Sequence, residues 1–404
     1  MPEFNRRKFL IASAGVGAAG LLGGVAAVTL PDLLKEAQDR PLQANQGVLV
    51  IVTLYGGNDG LNTVIPYADN AYHDARPDLA YKPEEVLRLD PAFGLNPALT
   101  GMSKLWHSDK LAIVRGVGYP KPDRSHFRSM DIWQTANPVD AVTSGWIGRW
   151  LDATGDDPIR AVNIGTVLPP LAVGQKRVAA SLSDFVPAIP PDVARTLAAL
   201  SADDPSDTTA MGQVCQSYRA NHSTNTRFAP VINGRLQTVG QADNQLASDL
   251  ELVARCIRAG VPTQVYMTQL LGFDTHADER APQQALLKTL DDALAPFFQK
   301  LQGTPYGRNV VVLMYSEFGR RVAANASQGT DHGTSGPVFI AGTPVKGGFY
   351  GDEPSLTDLT DGDLKTTVDF RDVYHELLSG TLGADPEPSV GRGRRDIGFL
   401  AGGR

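Results

Sequence analysis

Four places in the sequence bring together side chains that bind cations, move protons or attack electrophiles. Gly56-Gly57-Asn58-Asp59-Gly60-Leu61-Asn62-Thr63 presents one carboxylate in a bend whose glycines let the main chain pass close to a bound group. Read without a ligand, the same segment is a plain Asn-Asp-Gly turn. Pro122-Asp123-Arg124-Ser125-His126-Phe127-Arg128 leads into a helical pattern over Ser129 to Ala136. A serine at such a junction caps a helix. It also suits a nucleophile, because a helix N-terminus favours an anion and Arg124 and Arg128 carry donors shaped for phosphate or sulfate oxygens. A hydroxyl held there beside a metal is an attacking group.

Gly272-Phe273-Asp274-Thr275-His276-Ala277-Asp278-Glu279 packs four ionisable groups into six residues. Asp and neutral imidazole are ordinary ligands of Zn²⁺ and related divalent ions, although a surface capping loop has a similar composition. Ser316-Glu317-Phe318-Gly319-Arg320-Arg321 is followed by Gly329-Thr330-Asp331-His332-Gly333-Thr334-Ser335-Gly336. A carboxylate that closes an apolar strand is costly unless paired or bound to a cation, so Glu317 is either salt-bridged to a neighbouring arginine or a ligand. His332 sits in a glycine-rich turn, outside any core pattern. As a set, Asp59, Asp274, His276, Glu317 and His332 offer mixed oxygen and nitrogen ligands, and Ser125 with the arginines offers attack and anion stabilisation.

The elements that must position these groups are legible as apolar runs. Gly47 to Tyr55 (GVLVIVTLY) has the length and β-branched character of a strand buried on both faces of a parallel sheet. Lys110 to Val117, Thr263 to Leu271, Asn309 to Tyr315 and Pro337 to Ala341 repeat the pattern. Between them Asp243 to Ala259, Pro282 to Leu301 and Phe370 to Leu382 carry apolar residues at helical spacing. Strands alternating with helices predict an α/β fold, a mostly parallel central sheet with helices on both faces. The chemistry-bearing segments directly follow strands or return to one, where open α/β sheets hold ligands. Residues 140–240 are less regular and read as an inserted cap or a set of small strands.

The chain opens with Asn5-Arg6-Arg7-Lys8-Phe9-Leu10 and an uncharged Ala-, Gly-, Val- and Leu-rich run from Ile11 to about Leu30. An arginine pair before such a run predicts a twin-arginine signal peptide over residues 1–30, the translocase as a partner during export, and a periplasmic or secreted location. The run approaches the length of a membrane span, but its glycines and alanines make it weakly apolar, and no stable span is expected after cleavage. Small residues around Ala26 and Ala27 offer a cleavage position without an Ala-x-Ala, so a retained anchor stays open. Residues 45–404 then read as one α/β domain with ample chain to bury a core. The formal net charge of −7 argues against nucleic acid or anionic lipid as partners. Cys215 and Cys256 allow at most one disulfide and exclude a thiol framework.

GGNDGLNTVIP, SHFRSMDIWQTA, GFDTHADE, SEFGRRVAANASQGTDHG and VDFRDVYHELL, in that order, resemble the domain-of-unknown-function 1501 (DUF1501) family over nearly all of the mature chain. The resemblance implies an alkaline phosphatase- and sulfatase-like fold with one or two divalent ions at the carboxyl edge of the sheet, of Zn, Mg, Mn or Ca. It further implies that Asp59 is the metal-binding aspartate after the first strand and Ser125 the nucleophile. Asp274 and His276 then resemble the Asp/His pair of one metal site, Glu317 the later acidic ligand and His332 the late histidine. In that chemistry a metal lowers the pKa of the serine hydroxyl, and a second metal and the arginines stabilise the ester oxygens. The histidine at 276 is nearer to Asp274 than the Asp-x-x-x-His spacing common in alkaline phosphatases, and Ser316-Glu317 stands where Asp-His is frequent. The serine also lies outside the Cys/Ser-x-Pro-x-Arg pattern, which argues against a formylglycine sulfatase.

Three readings follow. The chain is an exported metal-dependent hydrolase of small-molecule or polymeric phosphate or sulfate esters, a non-catalytic envelope binding or scaffold protein that keeps the fold, or a metalloenzyme acting on an extracellular polymer.

Overall fold

The computed structural model describes residues 30–401 apart from 156, 166 and 183–243. The twin-arginine segment, Cys215 and most of the irregular region after position 182 therefore lie outside the described residues. The first half contains α1 (Leu30–Asp39), β1 (Val48–Tyr55), β2 (Val64–Ile65), α2 (Asn70–Ala75), β3 (Leu87–Arg88), β4 (Gly94–Leu95), α3 (Thr100–His107), β5 (Leu111–Gly118), α4 (His126–Thr135), α5 (Trp146–Thr154), β6 (Ala161–Ile164) and β7 (Ala180–Leu182). The second contains α6 (Gln245–Arg258), β8 (Val265–Leu271), α7 (Arg280–Leu301), β9 (Val310–Ser316), β10 (Gly336–Gly342), β11 (Gly348–Tyr350), β12 (Val368–Asp369), α8 (Phe370–Glu376) and α9 (Glu387–Val390).

The main sheet runs β11-β5-β10-β9-β1-β8-β6-β7, with β12 also paired to β5. β1 is parallel to both β8 and β9, which flank it, and β6 and β7 extend the parallel set beyond β8. Only β10 runs the other way, antiparallel to both β9 and β5. An apolar run carries no record of its direction, so the five strands expected from the sequence are found where expected while the reversal of β10 is not foreshadowed. Part of the irregular region read as a cap or small strands supplies α5 and the strands β6 and β7, of which β7 forms one edge of the sheet.

The central position of β1 follows from its composition. Val48, Val50, Val52 and Leu54 face one core with Leu250, Val253 and Ile257 of α6 and Leu287, Leu290 and Leu294 of α7. Leu49 and Ile51 face a second core with Trp133 of α4, Trp146 and Trp150 of α5, and Phe370 and Tyr374 of α8. Successive side chains of a strand point to opposite faces, so a strand that is apolar towards both is stable only with a covering layer on each side. The sheet with helices on both faces is thus a direct consequence of that run. Burying one leucine or phenylalanine there stabilises the fold by roughly 1.5–3 kcal/mol. A smaller cluster around Leu61, Ile65, Tyr72 and Tyr81 ties the β2–β4 sheet to the loop after β1. Cys256 is a buried free thiol. No helix among the described residues is long and apolar enough to cross a membrane.

Candidate metal centre

β1, β5, β8 and β9 all finish at one edge of the sheet, and the reversed β10 begins there. The segments after β1, β5 and β8 and the whole connection from β9 to β10 must therefore meet at that edge. Close approach is built in at Gly56, which has φ of 118° and on which a Cβ would come within 2.5 Å of the Asp274 amide nitrogen. Any side chain at position 56 would push the β1 and β8 loops apart.

Three histidines and one aspartate converge where these loops meet. The Nε2 atoms of His126, His276 and His332 lie 3.3, 2.9 and 3.1 Å from Asp274 Oδ1. His276 Nε2 and His332 Nε2 are 2.9 Å apart. His126 is the first residue of α4, His276 follows β8, and His332 precedes β10. The far side of two rings is anchored. His332 Nδ1 lies 2.7 Å from the carbonyl oxygen of Arg124, which can only accept, so Nδ1 carries the proton. His126 Nδ1 lies 2.8 Å from Glu317 Oε1, which likewise accepts. In their neutral forms both rings then present a bare Nε2 lone pair to the carboxylate of Asp274. His126 Nε2 is buried and has no hydrogen-bond partner. Converging lone pairs around a carboxylate repel unless a cation lies among them.

A divalent ion fits this set. A tetrahedral zinc site with metal–nitrogen bonds of about 2.0–2.1 Å has ligand–ligand separations of about 3.3 Å, close to the observed spacings. Imidazoles that hold a metal normally give their other N–H to a carboxylate or carbonyl, the arrangement seen at His126 and His332. One proton bridges only two of these atoms, whereas one metal ion can be shared by His126, Asp274 and His332 together.

The electrostatics around the cluster are arranged by two buried groups. Glu317 is 1% exposed. Its Oε1 accepts from the Gly56 amide at 2.9 Å as well as from His126. That bond, with partial burial opposing it and the charges of Glu317 and Asp274 assisting, raises the pKa of His126 above its ordinary value. Arg320, fully buried, donates from Nη2 to Asp274 Oδ1 at 2.8 Å. Burial works against the charge on Asp274, but the hydrogen bond from Arg320 and its positive charge hold the carboxyl well below the usual range.

The sequence-derived residues separate into three groups. Asp274, His276 and His332 form the cluster itself, and Glu317 reaches it by orienting His126. Asp59 lies apart, fully buried and ion-paired to Arg76. Ser125, Arg124 and Arg128 surround the start of α4: Ser125 is its N-cap residue with no side-chain cap hydrogen bond. Arg124 is ion-paired to Asp363. Arg128 pairs with Asp131 at 2.5 Å. His126 was not singled out from the sequence, although it stands in the same Ser-His-Phe-Arg segment; a histidine beside a strand-to-helix junction carries the same weight as the serine before it. Arg76 and Arg320 were also passed over, because a lone arginine gives no local sign of burial.

No curated protein sequence matches the chain. Among solved structures, the chain is similar to a protein in the alkaline phosphatase superfamily from Vibrio parahaemolyticus, at 13% identity over 94% of this chain and 81% of that one, with a TM-score of 0.43. It is similar also to the lipoteichoic acid synthase LtaP from Listeria monocytogenes, at 10% identity over 80% of this chain and 70% of that one, with a TM-score of 0.35. A third is the C-terminal periplasmic domain of EcEptC from Escherichia coli in complex with Zn, at 9% identity over 74% of each chain, with a TM-score of 0.31. Residues 197–398, half of the chain, match the family described as a protein of unknown function, DUF1501, and the chain belongs to that family.

Proposed function

We propose that this protein is an exported, metal-dependent hydrolase of phosphate or sulfate esters in which Ser125 is the nucleophile. The observation that carries the reading is the pair of fixed tautomers at His126 and His332, whose Nε2 lone pairs meet the Asp274 carboxylate, His126 being the residue that follows Ser125 in the chain. Asp274, His126, His332 and the more exposed His276 would hold the ion, with Glu317 and the Arg124 carbonyl setting the ring orientations. When bound, a divalent ion supplies Lewis acidity that lowers the pKa of a neighbouring hydroxyl and offsets charge on ester oxygens.

The chain's own residues supply the rest. Ser125 stands between Arg124, whose carbonyl fixes His332, and His126, so its position is fixed relative to two ligands by a single stretch of backbone. Its hydroxyl is not spent on capping α4, which leaves it available for attack and leaves the first-turn amides of the helix to an anion. Arg124 and Arg128 are the guanidinium groups nearest to it in sequence and would turn from their carboxylate partners to the ester oxygens. Export rests on the Arg6-Arg7 pair and the run behind it.

The test is elemental analysis of the purified mature protein together with turnover of p-nitrophenyl phosphate and p-nitrophenyl sulfate. Near-stoichiometric metal that disappears in His126→Ala and His332→Ala, with ester turnover in the wild type, is the expected result. Bound metal without turnover of any ester would make the chain a binding protein, and a metal-free wild type would sink the reading.

A further inference from the structure

We infer that the centre holds a single divalent ion per chain, because two buried arginines fill the place where Asp59 would otherwise take a second. This rests on the metal-dependent reading above and concerns how many ions that site accepts.

The resemblance to two-metal hydrolases makes Asp59 a ligand, and the residues around it do not fit that role. Asp59 and Arg76 are ion-paired with both side chains fully buried. The remaining nitrogens of that guanidinium are also engaged, Nε donating to the Val322 carbonyl at 2.7 Å and Nη2 to the Arg321 carbonyl at 2.6 Å. Arg76 is therefore clamped by two main-chain carbonyls as well as by Asp59, and a guanidinium does not lose its proton in a protein. The other oxygen of Asp59 accepts from the Leu61 amide at 3.2 Å. Its neighbour Glu279 is fully buried and accepts a hydrogen bond from Thr330. Burial, with Asp59 beside it, pushes the Glu279 carboxyl up to about 9, so at neutral pH it is protonated and adds no charge. One negative and one positive charge then close the account at Asp59, with nothing left to attract a divalent ion.

Arg320 fills the space between this pocket and the histidine cluster. Its Nε donates to the Gly57 carbonyl at 2.7 Å, its Nη1 to the Thr330 carbonyl at 2.9 Å and its Nη2 to the Phe273 carbonyl at 3.0 Å, as well as to Asp274. Asp59 and Asp274, the two carboxylates that a metal pair would need to share, thus each have their own arginine, Arg76 for one and Arg320 for the other. A divalent ion bound to Asp59 would have to displace a locked cation at a fully buried position, where charge repulsion is weakly screened. Among the described residues, the cluster of three ligand atoms within 4.8 Å of one another consists of His126, Asp274 and His332; His276 lies at its margin, against Asp274 and His332, and Asp59 is not part of it.

The experiment is a Zn²⁺ titration of the metal-stripped mature protein by calorimetry, with elemental analysis of the reloaded protein. One ion per chain is expected in the wild type. The same one-ion stoichiometry, with affinity changed by less than about tenfold, is expected in an Asp59→Asn, Arg76→Met double variant whose circular dichroism matches the wild type; the double change removes both charges together and so spares the fold an unpaired one. Two ions per wild-type chain would overturn the inference and leave the metal-dependent reading intact. Loss of the single ion in the folded double variant would overturn it by making Asp59 a ligand. No ion in the wild type would overturn both.

Discussion

His332 Nδ1 hydrogen-bonds the carbonyl of Arg124 at 2.7 Å, although 208 positions separate them. The residue before Ser125 thereby decides which nitrogen of a distant histidine is free to bind a cation. The nucleophile candidate and the candidate ligand set are coupled through one main-chain atom, which no side-chain substitution removes.

The partner link, from His126 to Glu317, does run through a side chain. Glu317→Gln keeps an acceptor but removes the charge that holds the ring, so Zn²⁺ affinity should fall about 10- to 100-fold. Competition with a fluorescent chelator measures this. Unchanged affinity would mean that His126 is positioned by its packing against Phe318 instead.

Ser125→Ala should reduce ester turnover by at least about a thousandfold while metal content stays at the wild-type level. Stability should shift by no more than about 0.5 kcal/mol, because the hydroxyl caps nothing and the residue is exposed. Retained turnover would reassign attack to a solvent molecule, and a marked loss in melting temperature would give the serine a structural role.

Glu279 makes the stability depend on pH in a definite direction. Burial and the neighbouring Asp59 raise its carboxyl from 4.5 to about 9 in the folded chain. The folded state therefore keeps a proton that the unfolded state releases above about pH 4.5, so this contribution is complete below that pH and is lost as pH rises through about 9. Asp59 is shifted down, and its contribution is present above the ordinary aspartate range and lost on acidification. The melting temperature should decline between about pH 5 and pH 9, and Glu279→Gln should flatten that decline. A decline that persists in the variant would place the titration elsewhere.

Arg76→Met alone leaves Asp59 buried without its counter-charge and should cost about 3–5 kcal/mol in denaturant unfolding. Adding Asp59→Asn should restore a large part of that loss. Equal destabilisation in the single and double variants would show that the packing of the arginine, and not its charge, is what matters.

Replacing Arg6 and Arg7 by lysine should strand the precursor in the cytoplasm, as read by fractionation and immunoblotting. Normal export of the variant would remove the twin-arginine argument.

The fold class was open to reading because its cause is local. A run such as Val48 to Tyr55, apolar at every position but Thr53, has to be covered on both faces, and the alternation with helical spacing makes the covering layers helices. The order of the chemistry-bearing loops was legible for the same reason, since each interrupts an apolar run. Asp274, His276 and His332 stood out by residue type and meet in the structure.

By itself, then, the sequence determined the layers, the edge at which the loops gather and the kinds of group present there. Only the tertiary structure decided which carboxylate faces which cation. Asp59 and Asp274 look alike in the sequence, each in a loop after a strand. Burial against Arg76 makes one a closed ion pair, and the convergence of His126, His276 and His332 makes the other the focus of a histidine cluster. The reason is that a carboxylate's role is set by the charges within a few ångströms of it, and in this fold the deciding ones are distant in the chain, Arg76 lying 17 positions from Asp59 and His126 148 positions from Asp274, brought close by strand order and by the reversal of β10.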